Sequence, residues 1–347
     1  MKTRSVVAVV FVALAAACSG GDDKEATRTR KGPTTTVSSL PAAPNTYPLT
    51  GLPSDPTRAS RPGLVVKLDN ADTKGKPGGR PQAGINEADV VVEEGVEGGV
   101  TRFAAIFHSA DALTIGPVRS ARSTDILFAT QLGRPLFAYS GANDVFAKLL
   151  ASSPLLDVGV GRVPDIYHRE PGRPQLYNLF SSTPDMLAKA PAGATVPAPL
   201  FAYRAVGEPA PAGDPAPLVK ALWKDKVRTD VSYEWDAAAK GFARTQNGTP
   251  HVDAAGKRAA PENVVLQVVP YRNTGLVDRS GAAVPEAEVV GEGEVVVLTD
   301  GKLIRGRWSR PQAAAVTTYT DGAGAAIRLT PGRTWVELVP PGNLTVG

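Results

Sequence analysis

The chain has 347 residues, with 38 Lys and Arg against 34 Asp and Glu and a formal charge of +4. So small an excess argues against nucleic acid as the main partner, and the length suits two domains. The single cysteine, Cys18, rules out disulfides within the chain and, once lipidated, thiol catalysis and cysteine-based metal sites.

Met1-Lys2-Thr3-Arg4 is followed by an apolar stretch from Val6 to Leu14 and by Ala15-Ala16-Ala17 before Cys18. A positive start, a short apolar core and small residues at a cut site make an export signal, and the apolar core is too short for a spanning helix of ~20 residues. A cysteine directly after the small residues fits lipoprotein processing. Residues 1–17 then form the signal peptide and Cys18 carries the lipid. Leu14 stands four residues before the cysteine, where three is usual. The alternative is a plain secretory signal with an incidental cysteine. Loss of Lys2 and Arg4 with the signal leaves a mature charge of +2.

Residues 18–47 are polar and rich in Gly, Thr, Ser and Pro, a composition that cannot bury enough surface to fold. They read as a disordered tether with an average span of roughly 30 Å. A domain over 48–205 follows. Leu64 to Asp69 reads as a buried strand, Asp89 to Glu94 and Val100 to His108 as a β-hairpin, and Ser120 to Leu132 as a helix. Pro135 to Ser140 reads as a strand and Asn143 to Ala151 as a helix capped by Asn143. Leu176 to Phe180 is a further strand, and Ser182-Thr183-Pro184 starts a helix. A Pro-rich linker spans 206–217. In 218–347, strands are expected at 231–235, 241–245, 264–269, 289–298, 303–308, 327–329 and 334–339. The fold class is α+β: a layered, mixed α/β N-terminal domain, then a smaller, mostly β C-terminal domain.

Pro48-Leu49-Thr50-Gly51, Arg80-Pro81-Gln82, Ala88-Asp89, Glu97-Gly98-Gly99-Val100-Thr101-Arg102-Phe103 and Ile115-Gly116-Pro117-Val118-Arg119-Ser120-Ala121-Arg122 resemble the signature of YerB-like bacterial lipoproteins. Trp235, Phe242-Ala243-Arg244, His251-Val252-Asp253, Asn263-Val264-Val265, Gly306-Arg307-Trp308 and Pro331-Gly332-Arg333-Thr334-Trp335 extend the resemblance over residues 48–340. It implies a lipid-anchored extracytoplasmic protein with an α/β first domain and a β-rich second one. It implies no biochemical role.

The strongest polar constellation is Arg119 and Arg122, three apart and on one face if helical, with Ser120 and free N–H groups at the presumed helix start. Such a start binds anions, and arginine forks match carboxylate or phosphate. Arg102, Glu97, Asp69, Asn70, Arg80 and Gln82 complete the candidate ligand set. The structural alternative is pairing of the arginines with Glu93, Glu94, Glu97 or Asp125. Glu93 and Glu94 are adjacent on a strand and face opposite sides, which weakens both a metal site and a paired-carboxylate glycosidase.

His108, His168 and His251 lack zinc-motif spacing. His108 beside Ser109 and Asp111 is more simply a surface or hydrogen-bonding histidine than a triad member, and His251 reads as structural. Trp223, Trp235, Trp308 and Trp335 read as core rather than sugar platforms. No metal site and no cofactor is expected.

The expected function is a binding or scaffold module on the extracytoplasmic face of the cell membrane, reached through the lipid, with an envelope glycan or protein as partner. The alternative is an envelope hydrolase or transferase acting on peptidoglycan or an anionic polymer. There Arg119 and Arg122 stabilise developing charge and Glu97 acts as base. Whether the protein is an enzyme stays open at this point.

Overall fold

The computed structural model describes residues 45–72, 78–278 and 281–347. The signal peptide, Cys18 and nearly all of the tether lie outside them. Among the described residues no helix is long and apolar enough to cross a membrane. Ordered packing is already present at Tyr47, which is 7 % exposed.

The first half supplies β1 (Leu64–Asp69), β2 (Val90–Gly95), β3 (Thr101–Phe107), α1 (Ser123–Ala129), β4 (Leu136–Ala138), α2 (Asp144–Ala151), β5 (Leu156–Asp157) and α3 (Thr183–Ala188). The order β2-β3-β1-β4-β5 forms one side of an eleven-stranded mixed sheet. The other side comes from the second half. Thr334–Val339 lies parallel to β2, and Asn263–Val268, Gly291–Thr299, Lys302–Arg310 and Thr318–Asp321 follow outward. β2 and β3 pair as the expected antiparallel hairpin, while β1 and β4 run parallel. A separate five-stranded sheet orders Thr249–Pro250, Gly241–Gln246, Arg228–Asp236, Val219–Lys224 and Leu344–Val346.

Every residue of β1, β2 and β3 is buried, as expected of strands covered on both faces. Alternate residues feed two cores. Leu64, Val66, Leu68 and Phe103 meet Tyr233, Phe242 and Trp335 on the side of the five-stranded sheet, where Met186 of α3 also packs. Val65, Ala104 and Ile106 meet Ile126, Phe128, Leu150 and Trp308 on the side of α1 and α2. Trp223, Trp308 and Trp335 are 2 %, 1 % and 3 % exposed, so these three are core.

Some local expectations shift. The expected helix over 120–132 starts only at Ser123 and tightens to a 3-10 turn at Thr130–Leu132. Its first residues are held extended instead, because Arg119 N–H donates to Lys67 O at 2.8 Å and Ala121 N–H to Gly141 O at 2.9 Å. The expected strand over 176–180 is confined to Leu179–Phe180, paired with His168–Arg169, and Gln175–Tyr177 is a 3-10 turn. The Pro-rich stretch is pinned at both ends. Glu208 accepts from Ala205 N–H and pairs with Arg328, and Asp214–Pro215 adds to the edge of Lys302–Arg310.

Candidate functional site

The carboxyl end of β1 presents Asp69 beside the parallel strand β4. The extended segment 117–121 lies across both strands: Asp69 N–H donates to Pro117 O at 3.0 Å, and Ser140 N–H donates to Arg119 O at 2.9 Å. Open α/β sheets bind ligands outside the carboxyl ends of their parallel strands. Register places Arg102 of β3 directly opposite Asp69 on one side and opposite Glu94 of β2 on the other.

Six of the candidate residues meet here. Arg119 Nε donates to Asp69 Oδ2, and its guanidinium lies over the Tyr177 ring, 5.6 Å from the centroid. Arg122 forks onto Glu97 at 2.6 and 2.7 Å. Those hydrogen bonds and charges outweigh burial and hold the Glu97 carboxyl below its usual range, although desolvation is the largest single influence and acts the other way. Arg102 is 8 % exposed, yet its one hydrogen-bond partner among the described residues is a backbone carbonyl, Ser120 O at 3.1 Å. Burial, then the neighbouring Arg122, lower the Arg102 guanidinium to about 10. Ser120 and Arg119 are half-buried, so this face of the cluster reaches solvent.

Asn70 and Gln82 belong to a second, deeper network. Asn70 donates to Glu93 Oε1 at 3.0 Å and Thr101 Oγ1 at 2.7 Å. Arg244 from the five-stranded sheet meets Glu93 Oε2 at 2.5 Å, with both side chains fully buried. Arg244 also donates to His251 Nδ1 at 2.5 Å, which leaves Nε2–H to donate to Gln82 Oε1 at 2.9 Å. Gln82 in turn donates to Asp69 O at 2.8 Å. A continuous chain of donors thus connects the five-stranded sheet to the end of β1. His251 is structural: burial, then Arg244, push its imidazole well below the usual range and keep it neutral. Arg80 stands apart at the edge. It reaches Pro250 O at 3.5 Å, and among the described residues its buried Nε has no hydrogen-bond partner.

Arg119 and Arg122 do not share a helical face, since Arg119 lies in the extended segment and Arg122 is the residue before α1. Nor does the start of α1 offer an open anion site. Asp125 occupies it, accepting from Arg122 N–H at 2.7 Å. Of the pairings named from sequence, Arg122–Glu97 forms, whereas Arg119 takes Asp69. Glu93 and Glu94 do face opposite sides, the first toward Arg244 and the second toward Lys67. Among the described residues no group of three His, Cys, Asp or Glu side chains is placed to hold a metal.

Sequence reasoning passed over Lys67 and Arg244. The signal for the first was present: a lysine in the middle of Leu-Val-Val-Lys-Leu-Asp must find buried partners.

Two family models match the chain. One is described as the N-terminal domain of a protein of unknown function (DUF3048), over residues 49–195, and the other as its C-terminal domain, over residues 221–336. The chain is 27 % identical over 313 residues to YerB of Bacillus subtilis (strain 168), a protein that carries the provisional name of lipoprotein; the match covers 84 % of this chain and 86 % of that one. A crystal structure of YerB from Bacillus subtilis shares the fold with a TM-score of 0.73 at 24 % identity, over 87 % of this chain and 99 % of that one.

Proposed function

Because the chain belongs to the YerB-like DUF3048 family, matched in both of its parts, we propose that it is a lipoprotein anchored through Cys18 on the extracytoplasmic face of the cell membrane. There it binds an anionic group of an envelope ligand or partner at the arginine cluster. The observation that carries the binding reading is Arg102. A guanidinium has five N–H donors, and this one spends a single hydrogen bond on a carbonyl while nearly buried. Around it Arg102, Arg119 and Arg122 face two directly paired carboxylates, Asp69 and Glu97. Arg102 has no directly paired carboxylate of its own, and a carboxylate or phosphate oxygen delivered to it would add charge-assisted bonds.

The hydrolase or transferase reading loses support at Glu97. A carboxylate clamped on both oxygens by Arg122 is a poor general base, because proton uptake breaks the clamp.

The test is thermal melting of the compact unit Ser38–Gly347 with phosphate, phosphodiester headgroups, muropeptides and anionic polymer fragments. A ligand at a hundredfold its Kd stabilises the fold by ~2.7 kcal/mol. The expected result is a shift with one of these oxyanions that Arg102→Gln abolishes while the variant still melts cooperatively. No shift with any of them, or an equal shift in the variant, contradicts the reading.

A further inference from the structure

Lys67 stands between two carboxyl groups, neither of which pairs with an arginine side chain. It lies mid-strand in β1 on the face toward α1 and is 0 % exposed. Its Nζ is 2.6 Å from Asp125 Oδ1 on α1 and in direct contact with Glu94 Oε1 on β2. Asp125 and Glu94 are each 2 % exposed. Ala104 faces Lys67 on β3, the strand between β1 and β2, and its methyl leaves room for the lysine to cross toward Glu94. The same side of the sheet is packed with Val65, Val92, Ile106 and Ile126.

Two features make this more than an ion pair. Asp125 is held at both oxygens, since Oδ2 accepts Arg122 N–H at 2.7 Å while Oδ1 faces the lysine. Glu94 keeps its second oxygen, Oε2, clear of the lysine, and burial, then the nearby Asp125, raise the Glu94 carboxyl above its usual range. A carboxyl in contact with the lysine Nζ and more ready than an ordinary glutamate to take up a proton suits a proton carrier. An amine and a carboxyl fixed in contact react at effective concentrations on the order of 10⁵–10⁸ M. Keeping them as buried ions carries a desolvation cost that a neutral amide does not.

We propose that Lys67 and Asp125 join in a spontaneous isopeptide bond, with Glu94 relaying protons between them. Lys67 Nζ attacks Asp125 Cγ. The Nζ–Cγ bond forms and one Cγ–O bond breaks. Oδ2 is the oxygen retained as the amide carbonyl, because Arg122 N–H is already placed to stabilise charge developing there. Of the three protons of the lysine ammonium one stays on the amide nitrogen. The other two leave on the departing oxygen as water, passed through Glu94, which ends as it began. Reactants and products balance with no oxidant, metal or cofactor. The bond ties β1 to α1 across 58 positions, in a chain whose single cysteine cannot form an internal disulfide.

The test is a peptide map by mass spectrometry of the folded full chain, denatured and digested after purification. The expected result is a peptide carrying Lys67 joined to the peptide carrying Asp125, one water lighter than their sum. In Glu94→Gln the two peptides come apart at their full masses, and the protein melts at a lower temperature. Separate, unmodified Lys67 and Asp125 peptides from the folded wild type overturn the proposal. A bond that persists in Glu94→Gln overturns the role given to Glu94. Should that variant fail to fold, the wild-type map alone decides whether the bond exists.

Discussion

His108, just past the end of β3, is fully buried and packs edge-on against Tyr47 at 5.6 Å. It is therefore not the surface histidine that its neighbours suggested; the backbone of Arg61 and Pro62 lies within its reach. Those neighbours are committed elsewhere, Ser109 to Asp89 and Asp111 to Arg61, so no Ser-His-Asp triad assembles. Burial, then Arg61, lower the His108 imidazole to about 4 from an ordinary 6.5. The unfolded chain takes up this proton first as the pH falls. The stability linked to His108 is complete above pH 6.5 and is lost as the pH drops toward 4. Asp89 acts oppositely: burial raises it from 3.8 to about 6, so its contribution is complete below 3.8 and lost as the pH rises through 6. The His108 slope is isolated by comparing melting of the wild type with His108→Phe from pH 7 to 4. The wild type should lose ground on the variant by up to about 1.4 kcal/mol per pH unit. Parallel curves would contradict the assignment.

The five-stranded sheet is fastened to the main sheet by ions as well as by apolar contact. Arg244 meets Glu93, lies over the rings of Phe103 and Trp335 at 5.4 and 5.0 Å, and donates to Tyr233 at 3.2 Å. Arg244→Met keeps much of the volume but strands Glu93 in the core. Chemical denaturation should register a loss of ~3–5 kcal/mol, and a loss under ~1 kcal/mol would mean that Glu93 finds another partner. Elements whose rules are local were legible in the sequence. Asn143 caps α2 by accepting Phe146 N–H at 2.9 Å, and Ser182 caps α3 at Asp185 N–H. The hairpin of β2 and β3 and the pair Arg228–Asp236 with Gly241–Gln246 also follow from alternation and turns. The start of α1 did not follow, because Arg119 N–H and Ala121 N–H donate to Lys67 O on β1 and to Gly141 O just past β4, pairings that sequence spacing does not reveal. For the same reason the candidate residues could be named, but not how they divide between an arginine cluster and a deeper amide network.

At the scale of the molecule, the two sequence segments share one sheet. Thr334–Val339 sits between β2 and Asn263–Val268, with Val90 opposite Thr334 and Glu93 opposite Glu337. A contact between positions so distant leaves no periodic trace in the sequence, while composition alone marked the Pro-rich stretch between the segments. Residues Ser38–Gly347 form one compact unit; the Glu93 network joins the two segments through Arg244, while the networks around Arg102 and Lys67 are built from the first segment and lean on the second only through the shared sheet. That the arginine site belongs to a single cooperative body is the claim on which the rest depends. The most direct measurement is equilibrium denaturation followed by two probes at once. Tryptophan fluorescence reports the second segment, which holds Trp223, Trp235, Trp308 and Trp335, and amide exchange of the β1 and β3 peptides reports the first. Coincident transitions at one denaturant concentration are predicted. Exposure of β1 and β3 at a denaturant concentration where the tryptophans remain native, or the reverse, would contradict it.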